Sequence, residues 1–248
     1  MTSRAAVPFA QQHPADRDAV AAGIALCWFF LLSGFLLDMV RALGEGHHYV
    51  PAAHFHAASA VAWLALLSWQ ALKVRAGRLA DHRRHGRQIG GWLAAFVVVS
   101  ALVTMWTADQ AHLAQPGYNP ATMAFQLGHV IPFVVFTALA LTRTDQPALH
   151  KRLLLLAVFA VLDTGWSRWV GHEIAMLSGD GWAGLLLRRY PATWLMLAAM
   201  ALYDWRTRGR LHPAFVPATA LIVATQAGAV ALYFTPAWGA LARHALGG

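Results

Sequence analysis

Cysteine is almost missing from the 248 residues: Cys27 is the single one, so the chain has no intramolecular disulfide and no cysteine-based metal cage. Charge is scarce too. Only 12% of residues are Asp, Glu, Lys or Arg against 58% hydrophobic, a balance that a water-soluble domain of this size does not cover with polar surface. Lysine occurs twice, at Lys73 and Lys151, both at the ends of apolar runs, which removes the intramembrane Schiff base of a microbial rhodopsin. Phosphate-binding Gly-rich loops are absent, as are the repeated HxxxH and HxxHH clusters of fatty-acid desaturases, and no loop is large enough for a nucleotide domain. Acidic residues number 11 against 19 Lys and Arg, but the basic excess lies in short clusters between apolar runs. It therefore reports topology and not nucleic-acid binding.

What is present is a series of apolar stretches, each near the ~20 residues that cross ~30 Å of hydrocarbon as helix. The chain reads as an all-α polytopic membrane helix bundle with seven transmembrane helices, at 20–43, 50–73, 90–110, 122–142, 152–171, 189–205 and 214–237. A polar N-terminal segment (1–19) precedes the transmembrane domain (20–238), and a short outer tail (239–248) follows it. The first apolar run is longer than a signal-peptide core and is read as a retained span; removing it gives a rival six-span topology.

Orientation follows from the basic residues. Arg4, Arg17, Lys73, Arg75, Arg78, Arg83, Arg84, Arg87, Arg143, Lys151, Arg152, Arg206, Arg208 and Arg210 fall on one side, which places the N-terminus in the cytoplasm and the C-terminus outside. Arg41, Arg168, Arg188, Arg189 and Arg243 fall on or near the other. Of these, Arg168, Arg188 and Arg189 suit a ligand carboxylate or phosphate, or else snorkel to headgroups.

Ionisable groups inside a bilayer are costly and face a bundle interior or cavity. Here they concentrate in the outer halves of the spans: Asp38, His54, His56, Asp109, His112, His129 and Asp163. His56 and His129 both lie ~10 Å below the outer edge, and Asp163 reaches that level from the fifth span. The segment GHHYVPAAHFH carries His47, His48, His54 and His56; with His129 or Asp163 these supply ligand types for copper, iron or zinc. Interfacial solvation explains the same histidines without a ligand.

A second set, His82, His85, His150 and His212, lies at the cytoplasmic ends, where a His beside Arg and Lys also caps helices or meets phosphate. An outer pair (His54 or His56 with His129) over an inner pair (His85 or His82 with His150) is the layout of a two-haem b-type cytochrome. The tryptophans near span ends form aromatic belts.

HRRHG after RAGRLAD, HKRLLLLAVFAVLD and YDWRTRGRLHPA resemble signatures of uncharacterised bacterial multi-pass membrane proteins grouped as a domain of unknown function, from about Ala53 onward. The resemblance implies a helical fold in the bacterial inner membrane. His82, His112, His129 and His150 are more loosely similar to the histidine pattern of small proteins of cytochrome-oxidase maturation. That similarity implies haem b or copper handling and respiratory-chain membrane proteins as partners.

Three functions follow as expectations. The first is a haem or transition-metal site serving electron transfer or oxidase assembly. The second is a proton-coupled small-molecule transporter or sensor. The third is a membrane hydrolase with metal-activated water on His56, His129 and Asp163.

Overall fold

A computed structural model describes residues 9–46 and 48–248, and among them every regular element is helical. Helices α1 (Asp16–Gly44), α2 (Pro51–Arg75) and α3 (Leu79–His112) are followed by a 3-10 turn (Pro120–Thr122) that leads into α4 (Met123–Thr142). Then come α5 (Pro147–Phe159), α6 (Asp163–Ser178), α7 (Trp182–Arg189), α8 (Pro191–Arg208), α9 (Phe215–Tyr233) and α10 (Pro236–Ala245). Proline opens α2, the 3-10 turn, α5, α8 and α10, where its missing N–H is one the helix leaves unbonded anyway and its fixed φ suits the first turn.

Six helices are long and apolar enough to cross a membrane: Asp16–Gly44, Pro51–Arg75, Leu79–His112, Pro120–Thr142, the compound run Pro147–Ser178, and Phe215–Tyr233. These cover six of the seven stretches expected from the sequence. Over the remaining one lies α8, eighteen residues long, which closes on Asp204, Arg206 and Arg208 and is not one of the six. The fifth stretch is not one straight helix, because α5 and α6 are separated at Ala160–Leu162. There Val161 and Leu162 donate to carbonyls three residues back, and the Phe159 carbonyl also accepts the Thr193 hydroxyl of α8 at 2.7 Å.

Polarity is distributed as a bilayer demands. Phe29, Leu43, Trp92, Phe96, Val99, Leu139 and Val216 point outward, while Ser59, Ser100, Asp163, Thr193, Asp204 and Gln226 are buried. The central core joins Leu156, Phe159 and Leu162 to Phe136, Ala140, Met196 and Ile222.

One end of the bundle gathers ion pairs. Asp16 meets Lys151 at 2.5 Å and Arg208 at 2.8 Å, Asp18 meets Arg75 at 2.6 Å, and Asp204 grips Arg152. At the opposite end, Arg168 meets Asp38 at 3.2 Å and the Trp238 indole donates to the Ala121 carbonyl at 3.1 Å.

Candidate functional site

His129 lies six residues into α4, ~9 Å from the start of that helix. Asp163 is the first residue of α6, set by the break that ends α5, and it is 1% exposed. A carboxylate at a helix N-terminus is favoured by the free N–H groups there, and the break turns this one inward. Its Oδ2 is bonded to Nε2 of His129, whereas its Oδ1 is buried with no hydrogen-bond partner.

Two further elements reach the same level. α9 lies close against α4, because a Cβ on Gly128 would stand 3.3 Å from both the Thr225 carbonyl and the Ala229 Cβ. Beside Thr225 is Gln226, whose Oε1 accepts the Trp194 indole at 2.9 Å and whose Nε2 is buried without a partner. From the end of α7, the Arg189 guanidinium stacks 3.7 Å above the ring of Phe125, one turn before His129 on α4. Its Nε is buried and unpartnered, and Asp163 and Tyr190 both act on its charge. An imidazole and a carboxylate bonded to each other thus meet from α4 and α6, with a guanidinium of α7 acting on the carboxylate, and α9 brings the Gln226 amide in alongside α4.

The other expected residues are dispersed. His56 Nδ1 is 3.2 Å from the Ser100 hydroxyl, which is in turn 2.9 Å from the Ser59 hydroxyl. His48 and His54 are exposed, and His54 stands edge-on to Tyr49; His47 lies outside the described residues. Asp109 is bonded to the Gln126 amide at 3.2 Å. Asp38 accepts the Tyr49 hydroxyl at 2.9 Å, and burial together with that bond pushes the Tyr49 phenol up to about 12.

At the ion-paired end, His85 packs on Trp69 and faces the Asp81 carbonyl, so it is His82 that stands opposite His150, ring centroids 6.3 Å apart. His150 holds the Ala140 carbonyl through Nδ1 at 2.8 Å. Among the described residues no three His, Cys, Asp or Glu side chains come together to hold a metal ion. His129 has given Nε2 to Asp163, and His56 has its Nδ1 on Ser100, so these residues as placed do not fit a three-ligand metal centre.

Sequence reasoning missed another buried acid, Asp204, which has no solvent exposure. It accepts Arg152 through both oxygens and the His212 N–H at 3.2 Å. Burial, with Arg152, Arg208 and Lys151 nearby, pushes the His212 imidazole down to about 4 against the opposing pull of Asp204. The signal was an aspartate two residues before Arg206, at the head of a cluster of arginines. Gln226 was missed because an amide in an apolar run carries no charge to mark it. Comparison with family models, with curated proteins and with solved structures finds no match to this chain, so the reading of the site rests on its own geometry.

Proposed function

We propose that this is a seven-span protein of the bacterial inner membrane, with α8 as the seventh crossing, the N-terminus in the cytoplasm and the C-terminus outside. In this reading the His129–Asp163 pair carries a proton for a proton-coupled small-molecule transporter or sensor. The carrying observation is that Asp163, 1% exposed, has one oxygen on His129 and the other without a partner. A buried ionised carboxylate is held only against a partner charge or a proton, and imidazole is the side chain that exchanges protons near neutrality. A dyad of this kind inside a bundle has two protonation states separated by one mobile proton.

Proteoliposomes containing the purified protein and a trapped pH dye test this reading. Wild type acidifies the lumen under an imposed proton gradient faster than empty vesicles, Asp163→Asn and His129→Phe return the rate to that of empty vesicles, and Asp109→Asn keeps it. Equal rates for wild type and Asp163→Asn would sink the proposal.

One observation favours a second reading, haem b held for electron transfer beside respiratory-chain proteins. His82 and His150 face each other from α3 and α5, and anchoring of His150 Nδ1 on a carbonyl leaves its Nε2 free, the arrangement common to metal-ligating histidines. A Soret band on the purified protein that disappears in His150→Ala would establish it; its absence after expression with added haem would remove it.

A further inference from the structure

The geometry points to a small organic carboxylate as the ligand of the site, held by Arg189 and Gln226 and admitted when the His129–Asp163 pair takes up a proton. The donor set stands without the proton-carrying role proposed above; only the coupling rests on it.

Unused hydrogen-bond donors supply the first part. Buried donors in folded proteins are nearly all bonded, and those left over mark a missing partner. Here Arg189 Nε and Gln226 Nε2 are two such donors, on α7 and α9, and Gln226 is only 5% exposed. Gln226 cannot swing away to satisfy itself, because its Oε1 is held by the Trp194 indole at 2.9 Å. Nor does Arg189 have a carboxylate within salt-bridge distance among the described residues, unlike its neighbour Arg188, which meets Asp180 at 2.9 Å. A guanidinium held over Phe125 with its Nε unused offers a charged N–H to an acceptor oxygen, as a carboxylate provides.

Charge supplies the second part. The groups facing the site are His129 on α4, Asp163 on α6, Arg189 and Arg188 on α7, Tyr190 after it and Tyr233 on α9. With Arg188 paired to Asp180 and the tyrosines neutral, Asp163 and Arg189 sum to zero, and a carboxylate entering would face the bare Asp163 Oδ1. One proton on the His129–Asp163 pair makes the site +1, which a monoanion neutralises and a phosphate dianion overshoots. Proton and anion would thus enter together, one to one and without net charge.

The test uses the full chain in detergent, titrated with lactate, with the uncharged isostere lactamide and with inorganic phosphate, reading intrinsic tryptophan emission, to which Trp194 contributes. Lactate is expected to shift emission saturably, at least about tenfold more tightly near pH 6 than near pH 8, given the strength of one charge at this range. Lactamide should give no shift and phosphate a weaker one. Arg189→Gln should lose the effect, Gln226→Leu weaken it severalfold, and Arg41→Gln, at an exposed cation of α1, preserve it. The double variant His129→Phe, Asp163→Asn, in which neither group of the pair can take up a proton, should bind lactate equally at both pH values, which a misfolded variant could not do. Lactamide matching lactate, or Arg189→Gln binding like wild type, would overturn the inference. Proton flux without any anion binding overturns it too while sparing the proton reading. Lactate binding that needs Arg189 but ignores pH upholds the anion site and removes the proton role.

Discussion

Asp204 shows what a single buried side chain decides. It is fully enclosed and holds Arg152 through both oxygens, so neutralising it strands a guanidinium that is itself 4% exposed. Asp204→Ala is expected to cost ~3–5 kcal/mol, seen as a fall in melting temperature in detergent, because breaking one half of a buried pair leaves the other uncompensated. Beside it, His212 carries a pH dependence whose sign follows from its depressed folded value of about 4 against 6.5 for the free imidazole. Between those values the unfolded chain binds the extra proton, so stability contributed by neutral His212 is complete above ~pH 6.5 and is lost as pH falls toward 4. Its Nδ1 accepts the Ala214 N–H at 3.1 Å, a bond that protonation removes. Melting curves at pH 7 and pH 5 should therefore diverge more for wild type than for His212→Asn. His129 and Asp163 were legible in the sequence as residues of one level, grouped with His56, because depth below the outer edge is a count of residues; that His129 bonds Asp163 while His56 bonds Ser100 was not. Arg189 was visible as a cation but not as a buried one, since only the stacking on Phe125 separates it from a headgroup-seeking arginine.

Helices meet where small residues let them. A Cβ on Gly34 of α1 would stand 1.9 Å from the Gly165 carbonyl of α6, and one on Gly165 would stand 2.3 Å from the Phe30 carbonyl. Both obstacles are backbone, so neither substitution can be relieved by a side-chain rotation. Gly34→Ala and Gly165→Ala must separate α1 from α6, at a cost of ~1–3 kcal/mol or more, whereas Gly91→Ala on α3, with nothing within 4 Å, should be neutral or gain up to ~1 kcal/mol from helix propensity. Thermal stability of the three variants in one detergent checks the contrast, and equal melting temperatures would refute the contact. Most spans were readable from apolar length alone. The interruption between α5 and α6 was not, because Ala160-Val161-Leu162 contains neither Gly nor Pro and is good helix-compatible sequence. Its stabilisation comes in part from elsewhere in the chain, where the Thr193 hydroxyl bonds the Phe159 carbonyl alongside the Leu162 N–H. A break made by tertiary partners has no local signature, yet it is this break that delivers Asp163 to His129.

At the scale of the whole molecule large apolar side chains point outward, several acids and bases are buried, and one end joins its ion pairs through Asp16 into a lattice while the other holds separate pairs. Basic residues flanking spans are retained on the cytoplasmic side, so the lattice end should face the cytoplasm. The one cysteine, Cys27, is 1% exposed, which lets a reagent that cannot cross membranes report on introduced cysteines against a silent background. Glu45, Arg84 and His244 are all exposed, on the α1–α2 connection, near the start of α3 and on α10 respectively. In intact bacterial cells an impermeant maleimide should label Glu45→Cys and His244→Cys but reach Arg84→Cys only after the cells are opened. Labelling of Arg84→Cys in intact cells would invert the bundle. Protection of His244→Cys while Glu45→Cys reacts would mean that α8 does not cross, since an even number of passes from an inside N-terminus returns the chain to the cytoplasm. In that case α8 would stay on the outer side with α7, and the bonds that its Asp204 and Arg208 make to Arg152 and Asp16 at the lattice end could not form as placed.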